Sequence, residues 1–556
     1  MRAVASTLLA ATALAALPAA PAAAGPRVVA TAGSQRINAV RLSSGGTGRA
    51  LLWWTTAGPS GSRGFIAART SSGGLGPAVE LLHGERITDV PFAFAARSGD
   101  VVLAQTTAPD YSSADLLGIR REHGADAFSE PFGILHSRYY NGVSAAANAR
   151  GDLAVLVKDR NRMTQLLTAG PDGRLSAPQP LGDEAPRGEP RVALDPAGRI
   201  VVVYGSHAEA VVRRGRIGGR LGAPHILEHL RTWPTFSAAI DDHGTATVAF
   251  SRFGRYHRGR RTAVSAVAAR APAGRPFGPV VELEQHTDGA DPVVAAAGTA
   301  TAVAWERSYP VGGLRIVLGH GASAFGRVRS VGARPLHLGS RLSSAPYAPL
   351  LAVDAAGDVL LAYAYGTLST HATIRLAGSG RFEPPAVVSS LGHGGTPAVA
   401  FAADRTPLVA FSDRSAVYLG DPATGAPVNL RPPSVTMTPL DPFELDRDLR
   451  VTTQVECTQT CWIFARSRIT TGPGPGARQV RSGGRLVGQT LRAGERLTLT
   501  FDAKPAAQAA LDASGHAKAV VTVTVANASG ASRTAREVVE FGCKRVTSAC
   551  PPAPGG

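Results

Sequence analysis

The sequence predicts an all-β chain: a ring of repeated four-stranded units followed by a small β-sandwich. Three observations predict it. A stretch of strand, four-residue turn and strand, clearest at Pro190 to Tyr204 (PRVALDPAGRIVVVY), recurs about every 50 residues between positions 40 and 412. Six residues beyond the end of the turn most copies place an aromatic: Trp54, Tyr204, Phe250, Trp305, Tyr363 and Phe411. No amphipathic helical pattern of useful length interrupts the repeats.

The turn carries its own chemistry. Asp195-Pro196-Ala197-Gly198 has the residues of a type I turn: Asp caps its own backbone, Pro presets φ and Gly tolerates a positive φ. Asp241 to Gly244 and Asp354 to Gly357 repeat it, Asn148 to Gly151 keeps it with Asn, and Ala96 to Gly99 keeps only the glycine. Degraded copies centre on Gly48, Thr299 and Arg405. A proline some seven residues upstream (Pro91, Pro190, Pro234, Pro292, Pro349, Pro397) is expected to open the first strand, because proline is excluded from strand interiors. A second hairpin follows, marked by glycine, Leu or Phe, then proline: Gly173/Leu175/Pro178, Gly219/Leu221/Pro224, Gly274/Phe277/Pro279 and Gly380/Phe382/Pro385.

Four strands per unit at this period is the signature of a propeller blade. The sequence therefore predicts a seven- or eight-bladed β-propeller over residues 25–430. Eight copies can be counted, and the weakness of those near Gly48 and Arg405 keeps seven open. Arg27 to Ala30 is expected to pair with the last blade and close the ring.

Residues 1–24 read as a secretory signal: Arg2, an apolar core from Val4 to Leu17, and Ala22-Ala23-Ala24 before the cleavage point. The mature protein is thus expected to be secreted, with no transmembrane segment. A Pro-rich connection near 430–438 leads to alternating strands over residues 431–550, an immunoglobulin-like sandwich in outline, and a tail at 551–556 expected to be disordered. All four cysteines, Cys457, Cys461, Cys543 and Cys550, fall in that region. An exported chain with an even number points to disulfides. Three pairings are open, and Cys457–Cys461 with Cys543–Cys550 is favoured because each closes a short loop without demanding a sheet register.

The chain has 58 Lys and Arg against 41 Asp and Glu, a formal net charge of +17. A basic surface favours anionic partners, although arginine-rich composition of a GC-rich coding background produces the same balance. No zinc finger, helix-turn-helix or RNA-binding motif directs that charge to specific nucleic acid. There is no phosphate-binding glycine loop, HExxH, Gly-x-Ser-x-Gly elbow or Asp-rich calcium loop, so no cofactor, metal or catalytic residue is assigned.

The sharpest local feature is Ser251 to Arg261, SRFGRYHRGRR, between the second and third strands of the fifth unit. Arg252, Arg255, Tyr256, His257, Arg258, Arg260 and Arg261 are the candidate binding residues: guanidinium groups for carboxylate, sulfate or phosphate, aromatics to stack on sugars. Arg213, Arg214, Arg216 and Arg220 add nearby charge.

The repeat resembles the propellers of secreted, actinobacterial-type bacterial proteins. Its Asp-x-x-Gly turn and aliphatic strand are similar to NHL-type propellers. Sialidase-like propellers are similar in architecture, but their Ser-x-Asp-x-Gly-x-x-Trp box has a shorter Asp-to-Gly spacing and a serine absent here. The expectation is a monomeric secreted binding or scaffold protein presenting propeller loops to a glycan, an anionic cell-wall polymer or a protein. The alternative is an extracellular glycoside hydrolase or lyase on the same loop face.

Overall fold

The computed structural model describes residues 26–542 apart from internal stretches that include 108–113, 332–349, 440–449, 472–477 and 503–515. Every regular element among the described residues is a strand. Eight antiparallel sheets follow one another. The first is Arg36–Ser44, Ala50–Gly58, Gly61–Ala68 and Val79–His83; the second Arg86–Ala96, Gly99–Thr107, Ala114–Glu122 and Phe132–Ser137. The third is Tyr140–Ala147, Leu153–Asp159, Thr164–Ala169 and Gln179–Pro180; the fourth Pro186–Leu194, Arg199–Ser206, Glu209–Arg216 and His225–His229. The fifth is Phe236–Ile240, Ala246–Phe253, Val264–Ala271 and Val281–Glu284; the sixth Val293–Ala297, Ala300–Arg307, Gly313–His320 and Arg329–Val331. The seventh is Leu350–Val353, Val359–Tyr365, Ser369–Arg375 and Ala386–Val387, extended by Ala426–Pro427. The eighth is Ala398–Phe401, Pro407–Ser412, Ala416–Gly420 and the N-terminal strand Arg27–Thr31. Each first strand packs beside the first strand of the next sheet, and Ala398–Phe401 packs beside Arg36–Ser44, so the ring is closed. This is a β-propeller, shut by pairing the N-terminal strand with Ala416–Gly420 as the sequence anticipated.

The turn geometry explains the repeat. In the Asp195 copy the Gly198 amide donates to the Asp195 carbonyl at 3.0 Å, and the Asp195 amide donates to the Arg199 carbonyl at 3.1 Å. The Asp195 carboxylate accepts the amides of Ala197 and Arg199 at 2.9 and 2.8 Å. Gly198 adopts φ +79, where a side chain is strained. Asp241 accepts the amides of His243 and Thr245 in the same way, and the Asn148 side-chain oxygen those of Arg150 and Asp152. Arg405 occupies the glycine position of the degraded eighth copy with φ 62.

The upstream prolines divide into two groups. Pro292 and Pro397 immediately precede their first strands and Pro234 stands two residues before Phe236–Ile240, while Pro349 lies outside the described residues. Pro91 and Pro190 lie inside longer strands, at register shifts between Asp89 and Phe92 and between Arg187 and Arg191. There a bulge removes the need for the amide that proline lacks, so the expected strand start is a strand irregularity instead.

The recurring aromatics fill the space between neighbouring sheets; Phe250, Trp305 and Phe411 are fully buried. Their polar tips reach the preceding sheet: Trp305 Nε1 donates to Glu284 at 2.8 Å, and the Tyr204 hydroxyl to the Leu181 carbonyl at 3.1 Å. Trp305 and Tyr204 thus join neighbouring sheets by both packing and a hydrogen bond.

Two further sheets follow the Pro-rich connection. Val435–Pro439, Arg450–Cys457 and Arg496–Asp502 form one; Cys461–Thr471, Arg478–Val480, Arg485–Leu491, His516–Ala526 and Ser532–Gly542 form the other. Val455, Ile463, Leu499, Phe501, Val521, Val523 and Val525 make a common core, which defines a sandwich. Cys457 and Cys461, both fully buried, form a disulfide joining the two sheets. Cys543 and Cys550, the tail and the signal segment lie outside the described residues.

Candidate functional site

Because successive strands are antiparallel, all the Asp-x-x-Gly turns lie on one face of the ring. The connections between second and third strands lie on the opposite face, called here the loop face.

The turn face is tied together from sheet to sheet. The Arg97 amide donates to Ala149, Asn148 Nδ2 to the Asp195 carbonyl, Arg199 to the Asp242 carbonyl and the Asp242 amide to Gly298. Arg405 bonds Asp354 and Asp358 of the seventh sheet, and Arg69 of the first sheet bonds Asp404 of the eighth at 2.9 and 3.1 Å. Asp195, Asp241, Asp152 and Asp358 are buried in this belt. Their carboxylates are engaged with backbone amides or guanidinium groups, so the chemistry of this face is structural.

The arginines of the outer rim are also largely committed. Arg214 donates to the carbonyls of Ala271 and Arg275 in the fifth sheet, and its guanidinium lies 4.7 Å over the Phe277 ring. Arg270 repeats this one sheet on, with the carbonyls of Gly321 and Ser323 and a 5.1 Å approach to Phe325. Arg120 reaches the Gly173 carbonyl of the third sheet and lies over Phe132 of its own. Burial lowers the pKa of all three below the ordinary arginine value. Arg213 bonds the carbonyls of Leu181, Leu221 and Gly222. The cluster that adds charge near the basic loop in the sequence therefore contributes two inter-sheet staples, while Arg216 and Arg220 are exposed. The staples carry a sequence signal that composition hides: Arg120, Arg214 and Arg270 each stand four residues before a positive-φ glycine, Gly124, Gly218 and Gly274.

The basic loop rises from the loop face of the fifth sheet. Tyr256–His257 pairs antiparallel with Arg260–Arg261, giving a separate two-stranded ribbon outside the four-stranded frame. The side chains of Arg255, Tyr256, His257, Arg258, Arg260 and Arg261 lie outside the described residues. Arg252 is placed differently from the rest. It lies in the second strand, bonding Glu228 of the fourth sheet and Glu282 of the fifth at 2.5 and 3.1 Å, and so braces the base of the ribbon.

The rim of the same face carries acid–histidine pairs: Asp115 with His136 and Glu209 with His229, each directly opposite across third and fourth strands, and Glu80 with His83 along one fourth strand, where Glu80 also bonds Arg63. These are two-residue pairs, and among the described residues no group of three His, Cys, Asp or Glu could hold a metal ion. His207 occupies the tight turn before Glu209 with φ 47.

A cavity of about 340 Å³ runs along the ring axis, lined by Ser43, Ser44, Ala146, Leu194, Ile240, Phe401 and equivalent first-strand residues. These residues sit toward the turn-face ends of their strands. Small and aliphatic side chains dominate the wall, and among the described residues no titratable side chain lines it.

No family model and no curated protein matches the chain. Among solved structures it is similar to the BP39L lectin from Burkholderia pseudomallei, at 10% identity and TM-score 0.44, over 63% of this chain and 99% of that one. It is similar to the β-propeller domain of the Trilobed protease from Pyrococcus furiosus, at 6% identity and TM-score 0.38, over 61% and 96%. A polysaccharide lyase of family PL25, an ulvan lyase, aligns at 14% identity and TM-score 0.38, over 61% and 94%.

The C-terminal sandwich occupies part of the loop face. Trp462 and Ala526 pack with Leu314, Val331 and Tyr363, at the loop-face ends of the sixth and seventh sheets. Asn527 builds a turn of the same kind as Asn148, accepting the amides of Ser529 and Ala531 at 3.0 Å. The Ala528 carbonyl at the tip of that turn accepts from Ser369 at 2.5 Å and lies 3.1 Å from His371 Nε2. His371 is 1% exposed at the junction of the two domains.

Among the described residues no helix is long and apolar enough to cross a membrane.

Proposed function

We propose that the protein is exported and acts as a binding or scaffold module, presenting the loop face of an eight-bladed propeller to an acidic glycan or wall polymer. The C-terminal sandwich, immunoglobulin-like in this reading, is an attachment or positioning domain. The observation that carries the proposal is the ribbon Tyr256–His257/Arg260–Arg261. Arginines of the belt and rim are committed to carbonyls, carboxylates and aromatic rings, whereas the ribbon adds basic and aromatic residues on a hairpin that the four-stranded frame does not need. Planar guanidinium groups suit carboxylate and sulfate, and neighbouring aromatics suit sugar faces.

The test is a glycan array run beside a broad glycosidase and lyase substrate panel on the mature protein. Retention of acidic polysaccharides without turnover is the expected result. Turnover of any panel member would replace this reading by that of a hydrolase or lyase, and retention of neutral glycans alone would remove the role of the basic ribbon.

A further inference from the structure

We infer that His371 is an acid-sensitive latch that holds the C-terminal sandwich on the loop face of the propeller. The inference is independent of what the loop face binds.

The latch joins residues far apart in the chain. Ser369 Oγ and His371 Nε2 lie 2.9 Å apart at the start of Ser369–Arg375, and both converge on the Ala528 carbonyl. A carbonyl accepts only, so the ring must carry its proton on Nε2 and donate it across the junction. On its other side the imidazole stacks on Tyr363, ring centroids 5.2 Å apart. Trp462 and Ala526 seal the same cluster from the sandwich side.

Burial at the junction disfavours a charged ring. The sandwich turn presents the backbone carbonyl of Ala528 between the uncharged side chains of Asn527 and Ser529. The neighbouring strand contributes the Tyr363 phenol. From the sixth sheet, Glu306 stands on the same side of its strand as Ala302 and Ala304, which face this cluster, and is 7% exposed. The linker adds Arg431, whose carbonyl accepts from Asn527 at 3.0 Å. Burial outweighs the hydrogen bond to Ala528 and pushes the His371 pKa down to about 4.

The sign follows from proton binding. A ring released into water regains a pKa near the ordinary 6.5, so between about pH 6.5 and 4 the undocked state binds more protons than the docked one. Acid therefore favours undocking, and the effect saturates below about pH 4. With these two values the docking constant falls roughly thirtyfold between pH 7.5 and 5. Undocking uncovers the loop-face ends of the sixth and seventh sheets, beside the sheet that carries the basic ribbon.

The test is amide hydrogen exchange of the full chain at residues 526–531 from pH 7.5 to 5, corrected for the chemical pH dependence of exchange. Protection there should fall about thirtyfold, while protection of Val521 to Val525 in the sandwich core stays constant. In His371→Gln the pH dependence should vanish; in Ser369→Ala, which keeps the imidazole, it should persist. If His371→Gln does not fold, titration of 13C-labelled histidines in the unaltered protein decides. A buried resonance titrating near pH 4 supports the latch, and a midpoint near 6.5 overturns it. Constant protection across the pH range, or equal pH dependence in His371→Gln, overturns it as well.

Discussion

The guanidinium of Arg214 lies 4.7 Å over the ring of Phe277, so a residue of the fourth sheet caps an aromatic of the fifth while bonding three of that sheet's carbonyls. Half-buried, this cation is held by carbonyl dipoles and a π face. Replacing it by Ala removes the stacking and the bonds to the Ala271 and Arg275 carbonyls. The expected cost is about 2–3 kcal/mol, read as a lower thermal midpoint. Arg214→Lys should recover only part of it, because a point ammonium reproduces neither the fork nor the stack. Equal midpoints for the unaltered protein and Arg214→Ala would show the staple to be idle.

Asp195 anchors its turn from a fully buried position. Asp195→Ala strands the amides of Ala197 and Arg199 and frees Arg199, and is expected to cost about 3 kcal/mol. Asp195→Asn should cost less, because Asn148 already does this work in the third sheet, where its amide nitrogen also reaches Asp152 at 2.7 Å. The ordering Asp195 above Asn above Ala in denaturant midpoint is the check; Asn no better than Ala would place the stabilisation in the ion pair with Arg199.

Much of this architecture was legible because it is enforced by local chemistry. A turn that needs Asp first and glycine fourth, followed six residues later by a buried aromatic, can be counted without tertiary information. What escaped the sequence depends on the third dimension. Arg214 and Arg270 look like loose surface charge until the neighbouring sheet supplies Phe277, Phe325 and a row of carbonyls. Arg252 looks like part of a binding loop until Glu228 and Glu282 close on it from two sheets. His371 looks like an exposed loop residue because nothing local announces that a turn at Ala528 comes to rest on it. Pro91 and Pro190 show the converse: the residue signal is real, but a bulge satisfies it as well as a strand start.

Tyr418 donates its hydroxyl to Asp413 at 2.8 Å, and burial together with that acid raises its pKa to about 12. The neutral phenol is the stabilised form. Stability from this pair is present in full below about pH 10, the ordinary tyrosine value, and is lost as pH rises toward 12. Tyr418→Phe should be less stable than the unaltered protein at pH 8, with the difference shrinking between pH 10 and 12. A difference independent of pH would show that ionisation of the phenol is not coupled to folding.

The Cys457–Cys461 bridge closes a short loop, with a sequence separation of 4. Chain-entropy arguments give such a loop only about 2 kcal/mol. Cys457→Ser with Cys461→Ser adds two buried hydroxyls at the sandwich core and should cost more than that. Cys457→Ala with Cys461→Ala isolates the cross-link. Comparing the two double variants by chemical unfolding separates them: a loss near 2 kcal/mol for the alanine pair and a larger one for the serine pair are expected.

The basic ribbon yields the sharpest functional prediction. Arg255, Arg258, Arg260 and Arg261 replaced together by Ser should weaken binding to an acidic polysaccharide and flatten its salt dependence. Attraction between exposed charges is screened over about 8 Å at physiological ionic strength, so binding carried by the ribbon must fall steeply as salt rises. Stability should barely change, because the ribbon lies outside the four-stranded frame. Arg252 is left intact in this variant, since its bonds to Glu228 and Glu282 brace the fourth and fifth sheets and its loss would confound the reading. The control removes four exposed arginines elsewhere, Arg27, Arg36, Arg174 and Arg220, lowering the net charge equally. Loss of binding in the ribbon variant alone assigns the interaction to the loop. Equal loss in both means that a partner senses only the overall +17. Unchanged binding in both removes the basic ribbon and the overall charge from the binding surface.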